Sequence, residues 1–558
     1  MSLVLTPDQR TAHDQIVEFF SRPILETDEA TYLHLLTGGA GSGKTTLTKE
    51  LIRSARKAGF QILLVAPTHK ARRVLHNIVN THSFLRTPTA TVASLLGKVR
   101  AHSYVGTHHY KKEVDDKVAA YDIILIDEVS MITEEDYKDI CRLGRTFHKK
   151  MLLIGDEAQI PHPNSRYIMH ACSGSGSGYL EKAISPAFSL PYCSHLTTTV
   201  RAKEQTLVNF YDAVRSRIGT DVKLHEFTSL LDIGSVVTVC QDQAEFANHI
   251  ARQFKEAKTA KDAKDANKVI CYTNNAVKKY NSLVRQSLGY KELQVNEILM
   301  GYSNIGMGCG AELIVENGQD YIVTDVKETT AHSLSANGSL FENLTGLLIH
   351  MHTSEKKVGG PGLFIPDLDA PANENVLIEL VTLAQKVNHP GSKKIDYKHY
   401  MALKSQLFFM ENIYQYDDSI YTETNFKHQH PLLFTRTTDY LQNGKIEQSE
   451  RTERLCSIYA NILAERLADS KEVSANEELA DRYQILEKDL DYGYAITAHK
   501  AQGSTYDRVF IDEGNFGTLS DGWSATKRVP IKRVSERDRL KYVVITRARK
   551  HIYILTMN

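Results

Sequence analysis

Short apolar runs closed by turn residues recur in the first third of the chain: YLHLLTGG (32–39), QILLVAPT (61–68), YDIILIDE (121–128) and KKMLLIGD (149–156). None alternates cleanly with polar residues, so each predicts a strand covered on both faces, as in a parallel sheet. After the first run the apolar positions switch to helical spacing, with Leu47, Leu51, Ile52 and Ala55 on one face. Strands alternating with helices predict an α/β domain whose functional loops lie at the strand carboxyl ends. A second set of runs, NKVICYTNN (267–275), DYGYAITAHK (491–500), DRVFIDE (507–513) and LKYVVITRAR (540–549), predicts a second α/β domain split by an insertion.

The insertion, 298–487, has a different pattern. AELIVENGQDYIVTDV (311–326) alternates around Asn317-Gly318, which predicts a hairpin and with it a small β-barrel. RTERLCSIYANILAERLADS (451–470) returns to helical spacing with charged faces. SGSGSG (173–178) predicts a flexible loop and KEAKTAKDAKDANK (255–268) an exposed helix or linker.

At 558 residues and about 150 per domain, the chain is long enough for roughly three to four domains. A content of 42% hydrophobic and 24% charged residues excludes wholesale disorder, collagen and coiled coil. No apolar run approaches the ~18–20 residues of a membrane span, so a soluble protein is expected. The seven cysteines, Cys141, Cys172, Cys193, Cys240, Cys271, Cys309 and Cys456, form no C-x-x-C pair and follow no signal peptide; they are expected to be reduced thiols in a cytosolic protein.

Lys plus Arg and Asp plus Glu both number 67, a balance that by itself counts against a polyanion partner. The distribution changes that picture. From Leu51 to Lys112 there is no acid, against eleven bases: Arg53, Arg56, Lys57, Lys70, Arg72, Arg73, Arg86, Lys98, Arg100, Lys111 and Lys112. Acid collects instead in 441–490, with eleven acids against seven bases.

GGAGSGKTT (38–46) fits G-x-x-x-x-G-K-[ST] between a predicted strand and a predicted helix. Its glycines let backbone N–H groups curl round phosphates, Lys44 puts a cation on the β/γ oxygens, and Thr45 offers a hydroxyl to Mg²⁺. Asp127 and Glu128, at the end of YDIILIDE, supply a carboxylate for Mg²⁺ and one to orient and deprotonate an attacking water. In LLIGDEAQI (152–160), Gln159 is placed to sense the γ-phosphate and Asp156 to support the metal site.

With these motifs in this order the chain resembles the superfamily 1 helicases, most nearly the Dda-type and RecD-type members of group 1B. LTPDQRTA (5–12) resembles the adenine-reading Q motif, with Gln9 on the base; APTHKAR (66–72), ATVASLLG (90–97), IDEVSM (126–131) and GDEAQI (155–160) resemble motifs Ia, Ib, II and III. LTTTVRA (196–202) resembles motif IV, with Arg201 as an arginine finger. YAITAHKAQGSTYDRVFID (494–512) resembles motif V, and YVVITRARKHIYIL (542–555) motif VI, with Arg547 the second finger.

The resemblance implies two RecA-like lobes with parallel sheets, 1–97 with 117–200 and 201–297 with 488–558, and ATP with Mg²⁺ between them. It implies nucleotide contacts from Gln9, Gly38, Gly39, Ala40, Gly41, Ser42, Gly43, Lys44, Thr45, Thr46, Gln159, Arg201, Gly503 and Arg547, with Thr45 and Asp127 on the metal. Pro67, Thr68, His69, Lys70, Thr91, Ser94, Thr497, His499 and Lys500 are the residues it implies for single-stranded DNA. A β-hairpin pin at 98–116 would carry Tyr104, His108, His109 and Tyr110 to the duplex, and 298–487 would hold an SH3-like barrel with a helical part.

After motif III the run QIPHPNSR departs from the relatives' pattern, which puts a DNA contact by Arg166 or Tyr167 in doubt; the lone Trp523 is open between packing and nucleic acid. The implied activity is ATP-dependent 5′–3′ DNA unwinding in replication, recombination or repair. It would act as a monomer on single-stranded and fork DNA, with single-strand-binding or replisome proteins, in the cytoplasm of a bacterial or phage-infected cell. Two readings stay open at this point: an ATP-switched single-strand-binding or protein-displacing factor, and an RNA helicase of the same superfamily.

Overall fold

The computed structural model describes residues 5–80, 87–98, 118–171, 178–198, 205–257, 259–303, 305–306, 313–334, 340–353, 357–367, 370–373, 375–376, 379–380, 383, 399–400, 402–404, 406–408, 410, 488–524 and 526–556. The pin residues Tyr104, His108, His109 and Tyr110, Arg201 of motif IV and the helical run 451–470 lie outside them. The chain forms two compact units, one built from the sequence up to Leu288 and again from Tyr494, the other from Gly289–Gly493.

The first unit holds two parallel sheets. In the first, the strand order is Thr89–Thr91, Ile62–Ala66, Ile123–Ile126, Lys150–Gly155, Leu33–Gly38, Cys193–Leu196. Leu63, Val65, Ile124, Ile126, Met151 and Leu153 pack on one face. Their neighbours Ile62, Leu64, Ile123, Leu125, Leu152 and Ile154 pack on the other, against Leu47, Leu51, Ile52 and Ala55 of helix Lys44–Lys57 and Ile16 and Phe19 of helix Pro7–Ser21. Successive side chains alternate between faces that are both dry, which is why the runs show no polar alternation. Burial of each such Leu or Ile contributes about 1.5–3 kcal/mol.

The second sheet runs Ala495–Thr497, Asn267–Cys271, Tyr506–Asp512, Ala548–Leu555, Val237–Cys240, again all parallel. Two expectations are corrected here. The run 491–500 is not one strand: Leu490–Tyr492 pairs antiparallel with Ile298–Gly301 in the other unit, and Ala495–Thr497 alone joins the parallel sheet. The run 540–549 is mostly helix, Val534–Ile545, and the strand is Ala548–Leu555. Every side chain from Leu540 to Ile545 is buried, and an element buried all round shows the same unbroken apolar run as helix or as strand.

That helix has two polar faces, each at i, i+3 spacing. Asp538 accepts hydrogen bonds from the backbone N–H groups of Gly219, Asp221 and Val222, and Lys541 pairs with the buried Glu513 at 3.1 Å. On the other face Glu536 pairs with Lys182 at 2.8 Å, Arg539 donates to the Glu157 carbonyl, and the Tyr542 hydroxyl donates to Asp156 at 2.9 Å. The helix therefore joins the strand ends of the first sheet to the core of the second. A small mixed sheet does the same, ordering Gly522–Ser524, Val529–Ile531, Gly178–Lys182 and Tyr167–Ala171, with Trp523 64% exposed on its edge.

The second unit carries an antiparallel sheet in the order Lys357–Pro366, Leu340–His352, Asp320–Leu334, Ile298–Gly301, Leu490–Tyr492. The expected turn at Asn317-Gly318 is present: Gly318 has φ 79° and the Gln319 N–H donates to the Glu316 carbonyl. Its two arms do not pair with each other, however. Leu313–Val315 pairs with Ile305–Gly306, and Asp320 onward pairs with Ile298–Gly301. Leu344, Phe364, Leu380 and Leu403 form a separate core there. Among the described residues no helix is long and apolar enough to cross a membrane.

Burial pushes the Glu513 carboxyl up, but the Lys541 charge and hydrogen bonds from His225 and the Leu224 N–H outweigh it and hold it below its ordinary 4.5. Its stabilisation is therefore full above that value and is lost as pH falls through the lowered one. Replacing Lys541 by Met strands a buried carboxylate and should cost about 3–5 kcal/mol at neutral pH. Urea unfolding of the variant measures this; a loss under about 1 kcal/mol, the range of a surface pair, would contradict it.

Candidate functional site

The phosphate-loop residues join strand Leu33–Gly38 to helix Lys44–Lys57. Gly41 and Gly43 have φ of 83° and 82°, a left-handed backbone that glycine adopts without cost. A Cβ on Gly38 would come within 2.9 Å of the Leu196 carbonyl, so the loop must start on a glycine. Lys44 Nζ lies across the loop, donating to the Gly38 and Gly39 carbonyls at 2.7 and 2.9 Å. Thr45 and Thr46 stand half-buried on the first helical turn. The Ser42 hydroxyl oxygen is buried with no hydrogen-bond partner among the described residues.

Gln9, 3% exposed, holds helix Pro7–Ser21 against this loop: its amide donates to the Ser42 carbonyl at 3.0 Å and accepts from the Thr6 N–H. Beside it, Asp8 accepts from the Thr197 and Thr198 N–H groups, each at 2.9 Å, anchoring the same helix to the first residues of the motif IV run. Burial raises the Asp8 carboxyl, but hydrogen bonds from the Thr6 hydroxyl and the N–H groups of Thr198, Thr197 and Gln9 prevail and hold it well below the usual carboxylate range.

Asp127 and Glu128 follow strand Ile123–Ile126, two strands from the phosphate loop, with Lys150–Gly155 between. Glu128 is in the left-handed region at φ 53°, a strained backbone for a non-glycine residue. The turn it makes packs so closely on the neighbouring strand that a Cβ on Gly155 would lie 2.7 Å from Val129. Burial, and then the charge of Glu128, push the Asp127 carboxyl up to about 7. Adjacent carboxylates with one raised in this way suit a divalent cation, whose charge reverses that shift; these oxygens, and the expected Thr45 hydroxyl, are donors of the type Mg²⁺ takes.

Gln159 is 5% exposed and its amide oxygen is buried without a partner among the described residues. Asp156 was expected to support the metal site. The structure commits it elsewhere: fully buried, it accepts from the Tyr542 hydroxyl at 2.9 Å, from Arg215 at 3.2 Å and from the Ala158 N–H at 3.1 Å. Burial, then the charge of Asp156, keep the Tyr542 phenol protonated far above its ordinary range. The same hydroxyl accepts the N–H of Ala40 in the phosphate loop at 3.0 Å. Arg547 is 3% exposed, donating to the Val543 and Ser504 carbonyls and the Thr546 hydroxyl, so its guanidinium is folded onto its own lobe. Gly503 has φ 75°, and both polar atoms of the adjoining Gln502 amide are buried without partners among the described residues.

The residues expected to contact a nucleic-acid strand follow strand ends of both sheets. Thr68, Thr91 and Thr497 use their hydroxyl oxygens to accept N–H groups of Ala71, Ser94 and Lys500, starting helices His69–Asn80, Val92–Leu95 and Ala498–Ala501. Pro67 and His69 are half-buried, and Ser94 is exposed. Lys70 Nζ donates to the Lys500 carbonyl at 2.6 Å, bringing the two expected sets together across 430 residues of sequence. Burial, then the Lys182 charge, push the His499 imidazole down, so it is neutral at pH 7. Other bases of the acid-free stretch are engaged locally: Lys98 pairs with Asp136, Arg56 donates to the Thr87 hydroxyl and Arg53 pairs with Glu50. Arg166 pairs with Glu134 at 2.6 Å.

Residues 22–164 match the AAA domain family and residues 194–558 match the UvrD-like helicase C-terminal domain. The chain belongs to the UvrD-like helicase C-terminal domain family. It is 27% identical over 277 residues to the ATP-dependent DNA helicase dda of Enterobacteria phage T4, covering 48% of this chain and 55% of that one. It is 32% identical over 129 residues to the ATP-dependent RecD2 DNA helicase of Deinococcus radiodurans, covering 23% of this chain and 16% of the relative. The chain thus spans only part of the length of these relatives. Among solved structures, the Bacteroides Pif1 bound to single-stranded DNA is similar at a TM-score of 0.44 and 14% identity, over 100% of this chain and 93% of that one.

Within this helicase, sequence reasoning missed the cluster of Asp156, Tyr542, Arg215 and Arg539. Tyr542 opens the motif VI run but reads as one more apolar strand residue, and Arg215 closes an ordinary amphipathic helix, Gln205–Arg215. Neither carried a local signal.

A carboxyl raised to about 7 is a competent metal ligand mainly above that pH. With an ATP analogue present, Mg²⁺ affinity should therefore weaken by about tenfold per unit below that point. Calorimetric Mg²⁺ titrations between pH 8 and 5.5 measure it against Asp127→Asn, which subtracts the analogue's own titration. Identical slopes for wild type and variant would show that Asp127 is not a ligand.

Proposed function

We propose that the chain is an ATP-dependent DNA helicase that translocates 5′ to 3′ on single-stranded DNA and opens duplex ahead of it. The observation that carries this reading is that the phosphate loop and the expected strand-binding residues are both bridged between the two parallel-sheet lobes, at Ala40 to Tyr542 and at Lys70 to Lys500. A ligand that shifts one lobe against the other at the first place must disturb the second, which is what a motor requires. The DNA substrate is supported by the likeness to the DNA helicases of the phage and of Deinococcus, and the polarity by the resemblance of the motifs to those of group 1B.

In this reading the N–H groups of 38–46 and the Lys44 ammonium hold the phosphates of ATP, and Gln9 borders the base. Thr45 and Asp127 would hold Mg²⁺, which when bound neutralises charge on the β and γ oxygens. Glu128 orients and deprotonates the attacking water, Gln159 contacts the γ-phosphate, and Arg201 and Arg547 serve as arginine fingers. Arg547 must leave its present carbonyl partners to do so, making hydrolysis depend on lobe closure. Pro67, Thr68, His69, Lys70, Thr91, Ser94, Thr497, His499 and Lys500 hold the strand by its backbone. The 98–116 segment serves as the pin and 298–487 as an SH3-like domain with a helical part.

Glu128→Gln should lower single-strand-stimulated ATP turnover by at least about 10²-fold while ATP binding persists. Turnover at the wild-type rate would remove Glu128 from the reaction. On fork substrates, unwinding should require a 5′ single-stranded tail, and efficient opening from a 3′ tail alone would reverse the polarity. Deleting 100–112 should spare DNA-stimulated hydrolysis and abolish strand separation; hydrolysis without any unwinding by the intact protein would identify a DNA-bound switch instead. Stronger stimulation by poly-U than by poly-dT would point to RNA.

A further inference from the structure

We propose that Arg215 is a further catalytic residue, a phosphate-contacting cation set beside the phosphate loop by Asp156, with Tyr542 as the positioning residue that ties Asp156 to that loop. This rests on the reading of 38–46 as the ATP site. Helix Gln205–Arg215 delivers the guanidinium to the loop: Nη1 and Cζ lie 3.8 and 4.0 Å from the point where a Cβ on Gly39 would stand. The Tyr542 hydroxyl lies 3.8 Å from the same point. Among the described residues the guanidinium hydrogen-bonds only to Asp156, through Nη2 at 3.2 Å. Its remaining N–H donors are thus beside a loop that gathers phosphate oxygens.

Three features separate this arrangement from an ordinary buried ion pair. Asp156 already has the Tyr542 hydroxyl and the Ala158 N–H, so its burial does not depend on Arg215 alone. Arg215 keeps 24% of its side chain exposed while Asp156 has none, so the cation lies on the open side of the pair. Finally, Tyr542 contacts both Asp156 and the Ala40 N–H, which fixes the anchor of Arg215 relative to the loop itself. A guanidinium offers parallel N–H donors that match phosphate oxygens, and polyphosphate carries more negative charge than the one carboxylate that now holds it. Arg547, by contrast, has its guanidinium turned onto Val543, Thr546 and Ser504 of its own lobe. Arg215 stands at the loop in the geometry seen here.

The test uses the full chain with Arg215→Ala, Arg215→Lys and Tyr542→Phe, measuring ATPase kinetics with oligo-dT and equilibrium affinity for ADP and ATPγS. Arg215→Ala should reduce kcat by ~10²–10³-fold, weaken ATPγS and leave ADP affinity unchanged, with Arg215→Lys restoring part of the loss. Tyr542→Phe should lower kcat at unchanged KM for ATP. Equal weakening of ADP and ATPγS, or a wild-type kcat in Arg215→Ala, would overturn the assignment. If Arg215→Ala does not fold, Arg215→Lys and Arg215→Gln supply the same ADP to ATPγS comparison. Failure of the underlying reading looks different: the wild type would hydrolyse no ATP, or Lys44→Ala would hydrolyse it as fast as the wild type.

Discussion

A carboxylate with no exposure to water is tolerated only when its oxygens are paired or hydrogen-bonded, because an isolated buried charge costs several kcal/mol. Asp156 meets that requirement with the Ala158 N–H of its own turn and with two groups from distant parts of the chain, Arg215 at the end of helix Gln205–Arg215 and Tyr542 of helix Val534–Ile545. The strand that ends in Asp156 lies between the phosphate-loop strand and the strand that carries Asp127 and Glu128. Satisfying this one charge therefore fixes the second lobe against the chemical edge of the first. Arg539 on the Glu157 carbonyl and Glu536 on Lys182 extend the same contact along the helix.

That helix works because its opposite face is bound as firmly. Asp538 takes three backbone N–H groups from 219–222, and Lys541 shares Glu513 with His225 and the Leu224 N–H. Asp538, Lys541 and Glu513 are buried and mutually satisfied, which ties the helix to the second lobe. The contacts towards the first lobe come from Glu536, Arg539 and Tyr542, and those of Arg539 and Tyr542 end on the phosphate and motif III loops. In the proposed function, a nucleotide at the phosphate loop would compete for the hydrogen bonds that join the lobes, a physical route from phosphate binding to displacement at Lys70 and Lys500.

The zero net charge conceals an uneven distribution, but the acid-free stretch is not a uniform basic channel. Lys98, Arg53 and Arg56 are engaged by Asp136, Glu50 and Thr87, whereas Lys70 reaches the opposite lobe. Local lack of acid in sequence does not prevent acids from elsewhere in the fold from meeting those bases. Modest, dispersed charge would also suit the proposed translocation, since each neutralised phosphate steepens the salt dependence and slows release.

The sequence by itself did not determine the edge strands Thr89–Thr91 and Cys193–Leu196, but it determined the four central strands of the first parallel sheet, the glycine-rich run at 38–46, the carboxylate pair and the order of the motifs. Each of these is specified locally, by apolar runs bounded by turns, by glycines that need a left-handed backbone and by charged residues at strand ends. It took 540–549 for a strand, although Leu540–Ile545 ends a helix, because burial on all sides there erased the periodicity that separates helix from strand. It joined Leu490–Tyr492 to Ala495–Thr497, although Gly493 passes so close to Leu299 that a Cβ there would lie 3.2 Å from its backbone, as the chain crosses from one sheet to the other. Only the tertiary structure decided what Asp156, Arg215 and Tyr542 do. Their meaning lies in contacts spanning 59 and 386 residues, and no spacing along the chain encodes which buried charge will need which distant donor.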